Sequence, residues 1–313
     1  MKAKVIINPS AGRQFFQRNV SRIIEKLSRD KILREVNTVY THGAGDAFDA
    51  AYHIRPGEYD FVLAVGGDGT VNEIVNGLIR GGGETPLSIL PAGTVNDFAY
   101  AMRLPRDVAP YCAMIRSFHT VPVDAGKAGD TYFLNVAAGG MLTDVAYKVP
   151  SESKTVLGRM AYYIEGAMNL PSQIYRSIPF HVTAEGVDIC KESLLFTISN
   201  TTSVGGFRRL APKANVSDGL LDVMIVHKPA FGDFMPLMVQ LMLGEHDRNP
   251  IVTYFQTAKL EIGAGIDEPI QLDLDGEKGG TLPIVVECVP SALRLVVPQA
   301  KPREEVRTEP GRA

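Results

Sequence analysis

Along the first third of the chain, short apolar runs alternate with stretches that are apolar on one side only. Val5-Ile6-Ile7 reads as a strand, and Val20, Ile23, Ile24 and Leu27 recur at helical spacing. Val36 to Tyr40 is a second strand, and Ala47 to His53 a short helix. Phe61-Val62-Leu63-Ala64 is a buried strand. It runs into Val65-Gly66-Gly67-Asp68-Gly69-Thr70, after which Val71, Ile74, Val75 and Leu78 again have helical spacing. Leu87 to Leu90 is the fourth strand, followed by a helix opened by Asn96-Asp97 and running to about Met102. Strand and helix in strict alternation predict an α/β domain with a doubly wound parallel sheet.

Near Val121 the rhythm changes to β-rich stretches: Tyr132 to Val136, Phe180 to Ala184, Leu194 to Ser199, Leu221 to Val226, Ala258 to Ile262, Ile270 to Leu274, Ile284 to Cys288 and Leu293 to Val297. Turn dipeptides such as Glu185-Gly186 and Asp275-Gly276 separate many of them. This predicts a second, mainly antiparallel domain, a sandwich or barrel-like sheet. Two helices interrupt it, Thr155 to Leu170 and Phe231 to Leu243. The latter is apolar nearly all round, hence buried, in an interface or against something greasy. The expected organisation is an α/β domain over 1–122 and a β domain over 123–290. A return strand over 291–298 and a polar, disordered tail over 299–313 complete it.

Composition narrows the class rather than the function. The 313 residues are 45% apolar and 21% charged, ordinary for a chain with a full core. A net charge of −3 gives no global attraction to nucleic acid or anionic lipid, so nucleic acid is not an expected partner and any lipid contact is a local patch. Cys112, Cys190 and Cys288 are far apart and read as reduced core cysteines, not a disulfide frame or zinc site. The start of the chain lacks a signal-peptide pattern, and no apolar run approaches the ~18 residues of a spanning helix. The expected location is cytoplasmic, with membrane contact only peripheral. Oligomeric state is left open, a homodimer included.

The glycine turn at 66–69 carries the chemistry. A strand, a glycine turn and a helix N-terminus leave backbone N–H groups aimed at one point, with the helix dipole behind them. Glycines let a phosphate approach the backbone closely. Asp68 would repel that phosphate unless a divalent cation such as Mg²⁺ lay between them. No Gly-Lys-Ser/Thr follows, so the turn is not a Walker A loop, and alone it also reads as an ordinary tight turn. Loops at Asn8-Pro9-Ser10-Ala11-Gly12-Arg13, Thr41 to Asp46 and Pro91 to Phe98 follow the other strands, at the sheet edge where α/β folds bind ligands.

Gly66-Gly67-Asp68-Gly69-Thr70-Val71-Asn72-Glu73, followed by Leu90-Pro91-Ala92-Gly93-Thr94-Val95-Asn96-Asp97-Phe98-Ala99, resembles the diacylglycerol kinase catalytic family, and within it the soluble bacterial lipid kinases. Gly205-Gly206-Phe207, Ala211 to Val223 and Leu274-Asp275-Gly276-Glu277 continue the match, and Asn8-Pro9 with Gly12 fits its opening motif. Matches in order over about 270 residues are far more specific than any one of them.

The resemblance implies transfer of the γ-phosphoryl group of ATP to a lipid hydroxyl, with Mg²⁺, in a cleft between the nucleotide domain and a C-terminal β-sandwich. It places Asn8, Thr41, Gly66, Gly67, Asp68, Gly69, Thr70, Asn72, Glu73 and Thr94 at the nucleotide. It gives Glu277 the role of general base, Asp275 that of its support, Asp68 a role through Mg²⁺ on the phosphates, and Asp97 a place facing the acceptor. Asp218, with the carbonyls of Asn215 and Leu220, falls where the bacterial branch holds a structural Mg²⁺. Taken alone, Asp275-Gly276-Glu277 reads as a hairpin turn, Asp97 as a helix cap and Asp218-Gly219 as a solvated turn. The sequence departs from the family at Arg13, where lysine is common, at Tyr100, where arginine is usual, and at Ser217, where a carboxylate is usual. Diacylglycerol is the expected acceptor. A sphingoid base, ceramide, phosphatidylglycerol, a soluble molecule, or a regulator without turnover are the alternatives.

Overall fold

The computed structural model describes residues 1–11, 15–82, 84–140, 177–228, 230 and 232–299. Four strands, β1 (Lys2–Ile7), β2 (Glu35–Tyr40), β3 (Phe61–Gly66) and β4 (Leu87–Pro91), lie parallel in the order β2-β1-β3-β4. Every residue of β3 and β4 is buried, which explains their unbroken apolar runs. Helices α1 (Phe15–Arg29), α2 (Asp46–Tyr52), α3 (Asp68–Arg80) and α4 (Asp97–Ala101) connect them or follow them. A fifth, α5 (Val108–Ser117), was not anticipated. Its apolar residues Tyr111, Cys112, Met114 and Ile115 are buried, but Pro110 gives the stretch the look of a loop. Proline is tolerated there because it falls in the first helical turn, where its missing N–H has no intrahelical partner to lose.

The second domain is antiparallel, as the succession of β-rich stretches and turns predicted. Its strands are β5 (Thr120–Ala128), β6 (Thr131–Phe133), β7 (Val136–Gly140), β8 (Ile178–Ala184), β9 (Val187–Ser199), β10 (Leu221–His227), β11 (Val252–Thr257), β12 (Lys259–Ala264), β13 (Gln271–Leu274), β14 (Glu277–Thr281) and β15 (Ile284–Val296). The order β14-β13-β7-β9-β8-β12-β15 joins directly to β4. Strands β5, β11 and β14 were not foreseen. In β14 the pair Gly279-Gly280 hides the pattern, and a Cβ on Gly279 would fall 2.5 Å from the Leu274 side chain. The single strand expected at Tyr132 to Val136 is split between β6 and β7 by a turn. Phe133, Phe180, Phe196, Val223, Ile225 and Leu272 fill the interior, with Phe180 and Phe196 edge to face at 5.1 Å.

Strand β15 belongs to both domains. Its first residues pair with β12, then the register shifts between Val289 and Leu293, and Leu295 pairs in parallel with Leu87 of β4. Two strands were expected here because Pro290 breaks the run, but the irregularity absorbs it. Leu293, Leu295 and Val296 complete the core of the first domain.

Other expectations need correction. The apolar helix is α6 (Phe234–Leu243); Val239, Met242 and Leu243 on it are exposed, so of the expected settings full burial is the one that does not hold. Cys190 is exposed rather than in the core. The helix expected at 155–170, the residues Gly12 and Arg13, and the tail beyond Gln299 lie outside the described residues.

Candidate active site

At the end of β3 the chain turns through Gly67, extended at φ −88°, and enters α3 at Asp68. The turn is crowded. A Cβ on Gly93, in the loop after β4, would come within 2.7 Å of Gly67 Cα, so two glycine backbones meet where side chains cannot fit. Asn8, after β1, donates from Nδ2 to Thr70 Oγ1 at 2.9 Å and accepts the Ser10 N–H at 2.9 Å. The Thr41 N–H donates to Ile7 O, and Glu73 on α3 accepts the Ala47 N–H at the start of α2 at 3.2 Å. Three strand-end loops are thereby tied to the first turns of α3.

They enclose a cleft of about 400 Å³. Of the residues chosen from sequence, Asn8, Thr41, Gly67, Gly69, Thr70, Glu73 and Glu277 line it, together with Ser10, Ala11 and His42 to Ala44. Glu277 comes from the other domain. A Cβ on Gly69 would lie 2.6 Å from Glu277 Oε1, so this carboxylate stands against the glycine turn.

The remaining chosen residues lie elsewhere. Gly66 is the last residue of β3, and Thr94 is exposed at the tip of its loop. Asn72 faces the seam between the domains: its Nδ2 donates to Tyr132 O at 3.1 Å and to Asp275 Oδ2 at 3.0 Å. Asp275 accepts three further N–H groups, from Leu134, Asn135 and Val136 at 2.8–2.9 Å. Desolvation pushes its pKa up, and these donors pull it down. With both oxygens engaged, Asp275 is a strut that fixes the turn carrying Glu277. It sits in the left-handed region at φ 54°, which an Asp before a glycine tolerates.

Asp68 and Asp97 lie close enough for the charge of one to act on the other. Asp68 Oδ2 accepts the Asn96 N–H at 3.0 Å. Its pKa is raised to about 6, first by desolvation, then by Asp97 and Asp275, against the pull of the Asn96 N–H. Asp97 Oδ1 accepts the Ser203 hydroxyl at 2.8 Å and the Gly206 N–H at 3.3 Å, which joins the two domains a second time. Asp218 is exposed, far out on its turn, and its Oδ1 accepts the Leu220 N–H at 3.1 Å; Asn215 Oδ1 accepts from Ser217. Among the described residues no three His, Cys, Asp or Glu side chains gather as a metal cage.

Residues 2–128 match the diacylglycerol kinase catalytic domain, and 136–297 match the YegS C-terminal NAD kinase beta sandwich-like domain. The chain is 36% identical over 301 residues to a diacylglycerol kinase of Bacillus subtilis, covering 96% of this chain and 97% of that one. The chain belongs to the diacylglycerol kinase catalytic family. A diacylglycerol kinase of Staphylococcus epidermidis is 37% identical over 282 residues, covering 90% of this chain and 87% of its own. A crystal structure of a diacylglycerol kinase from Bacillus anthracis superposes with a TM-score of 0.77 at 25% identity, covering 95% of this chain and 96% of that one.

Within this kinase, several polar residues that hold the site together were not singled out from sequence. Asn76 brackets Tyr132, donating to its carbonyl at 2.9 Å and accepting its N–H at 2.9 Å. Asn96, read from sequence only as the opening of a helix, is left-handed at φ 52° and closes the Gly93 loop by accepting its N–H. Asp124, buried, accepts the N–H groups of Gly219 and Ser291 and anchors the turn that carries Asp218. The i, i+4 pair Asn72 and Asn76 on a helix was the one signal available for the seam.

Proposed function

We propose that this lipid kinase transfers the γ-phosphoryl group of ATP to the free hydroxyl of diacylglycerol, giving phosphatidic acid and ADP. The observation that carries the reading is the position of Glu277, which reaches from the β domain to the glycine turn at the wall of a cleft otherwise made by the nucleotide-type loops. The cleft volume suits a nucleotide. The N–H groups at the start of α3 would receive phosphate oxygens, and Asn8, Thr41 and Glu73 would hold the loops around them. Glu277 would accept the acceptor hydroxyl proton as its oxygen bonds to the γ-phosphorus and the bond to the leaving ADP oxygen breaks. Asp97, held by Ser203 and Gly206, would orient that hydroxyl.

The carboxylates also fit a divalent cation. Asp68 ionises reluctantly beside Asp97 and Asp275, and a positive charge is what such a group lacks. When bound, Mg²⁺ would neutralise charge on the phosphates. Asp68 would supply one ligand, and the phosphates and water the others. No described helix is long and apolar enough to cross a membrane, so the acceptor would be met from the lipid surface.

The test is transfer of label from γ-labelled ATP to a panel of lipids in mixed micelles, with Mg²⁺ and with EDTA. Labelled phosphatidic acid, lost with EDTA, is the expected result. Labelling of ceramide, a sphingoid base or phosphatidylglycerol instead would move the acceptor, and no labelling under any condition would end the kinase reading.

A further inference from the structure

We infer that the exposed face of α6, together with Arg208 and Arg209, docks this protein on an anionic lipid surface beside the acceptor site. The inference rests on the lipid kinase reading for its biological sense, but not for its physics. Leu237 and Leu241 face inward, in a cluster with Leu210 and Val204. Val239, Met242 and Leu243 are turned out, 51%, 58% and 53% exposed. Their i, i+3 and i+4 spacing puts them on one stripe, and α6 carries no charged residue. Three large apolar side chains so exposed on one helix form a patch, not scattered surface residues.

Cations border the patch. Gly244, which ends α6, rests on Arg209: a Cβ there would fall 2.6 Å from Arg209 Cβ. The preceding residue, Arg208, is exposed and lays its guanidinium over the Tyr100 ring, 3.4 Å from its centroid. Tyr100 is itself 51% exposed and lies one turn of α4 beyond Asp97. The strip therefore runs from an apolar helix face through two arginines to an aromatic ring and ends at Asp97, whose carboxylate is held by Gly206, two residues before Arg208. An apolar stripe with arginine and tyrosine at its margin matches the acyl-to-headgroup boundary of a bilayer. The apolar side chains enter, the arginines meet lipid phosphates, and the aromatic ring sits at headgroup level.

The test is co-sedimentation of the full chain with vesicles of phosphatidylcholine and phosphatidylglycerol in equal parts, without nucleotide or diacylglycerol. Turnover of a short-chain diacylglycerol dissolved as monomer is measured in parallel. Wild type should pellet with these vesicles, less so in high salt, and weakly with phosphatidylcholine alone. The double variant M242D/L243D should partition at least ~10-fold less while keeping short-chain turnover, because both side chains are exposed and neither lines the cleft. Arg208→Ala should cost about fivefold in partition. Equal binding of wild type and M242D/L243D overturns the inference. So does a wild-type dimer that the double variant turns into a monomer with vesicle binding intact, since a second copy then covers the face. If vesicle binding fails while short-chain turnover stands, the docking surface falls and the kinase reading survives. If binding follows the prediction with no turnover by wild type, the surface stands and the kinase reading falls.

Discussion

The two walls of the cleft are built on different principles. The wall from the first domain is made by loops and a helix N-terminus: Gly67, Gly69 and Thr70 at the start of α3, with the strand-end loops of Asn8 and Thr41. The wall from the second domain is a side chain, Glu277, on a turn held by Asp275 through donors at 134–136 and, 203 positions away, at Asn72. Asp68 on the first wall and Asp275 behind the second are both carboxylates pushed up in pKa by desolvation. Asp275 meets four N–H donors, whereas Asp68 has the N–H of Asn96 and feels the charges of Asp97 and Asp275. One arrangement holds structure together and the other holds charge in readiness. The lesson is that similar desolvation has opposite meaning according to what surrounds the carboxylate.

The sharpest way to break the contrast is Asp275→Ala. Four N–H groups at the seam would lose their acceptor, and the loss of stability should be ~3 kcal/mol or more, read by urea denaturation. A melt like that of wild type would show that the strut is dispensable.

Asp68→Ala should do the opposite to stability and more harm to turnover. Transfer should fall about 10²–10³-fold, the scale of a lost electrostatic stabiliser. The folded pKa of Asp68 lies above its unfolded value of 3.8, at about 6. Its contribution is therefore fully present below pH ~4 and is lost as pH rises through ~6. In the absence of nucleotide and metal, the variant should gain on wild type across that window. By pH 8 the gain should be on the order of 1–3 kcal/mol. A Tm difference between the two that does not change from pH 4 to pH 8 would refute it.

Glu277→Gln keeps shape and hydrogen bonding but cannot take a proton. We expect kcat to drop about 10²-fold with little change in the KM for ATP. If KM rises and kcat holds, Glu277 is a nucleotide contact, and Asp97 becomes the candidate base, because Asp275 has both oxygens occupied.

The smallest effect concerns the turn at Asn215 to Leu220. If it binds Mg²⁺, the metal should raise the Tm of wild type by a few degrees and leave Asp218→Ala unmoved, by linkage of binding to folding. Identical melts with and without Mg²⁺ would leave Asp218 as the acceptor of its own turn, as its bond to the Leu220 N–H already makes it.

Much of the site was readable along the chain because its parts are local. Gly67, Gly69 and Thr70 make their own geometry, and Asn8 and Thr41 follow strands whose apolar runs are plain. Asn72 was placed at the nucleotide because it lies in the same motif. Its direction depends on Tyr132 and Asp275, which no local pattern contains. Strand β14 was missed for the same kind of reason: Gly279-Gly280 has no periodicity, and its pairing with β13 is what makes it a strand.

The sequence by itself determined two domains, one α/β and one antiparallel, and the phosphate-type turn between β3 and α3. Hydrophobic period and glycine spacing act over a few residues and need no partner to be read. Only the tertiary structure decided that Glu277 faces Gly69, that Asp275 is a strut, and that Arg208 covers Tyr100. Each depends on residues more than a hundred positions apart, brought together by cores buried for other reasons. The apolar effect that packs α6 through Leu237 and Leu241 has no direction of its own. Whether Val239, Met242 and Leu243 ended inside or outside was settled by the shape of the sheet beneath them.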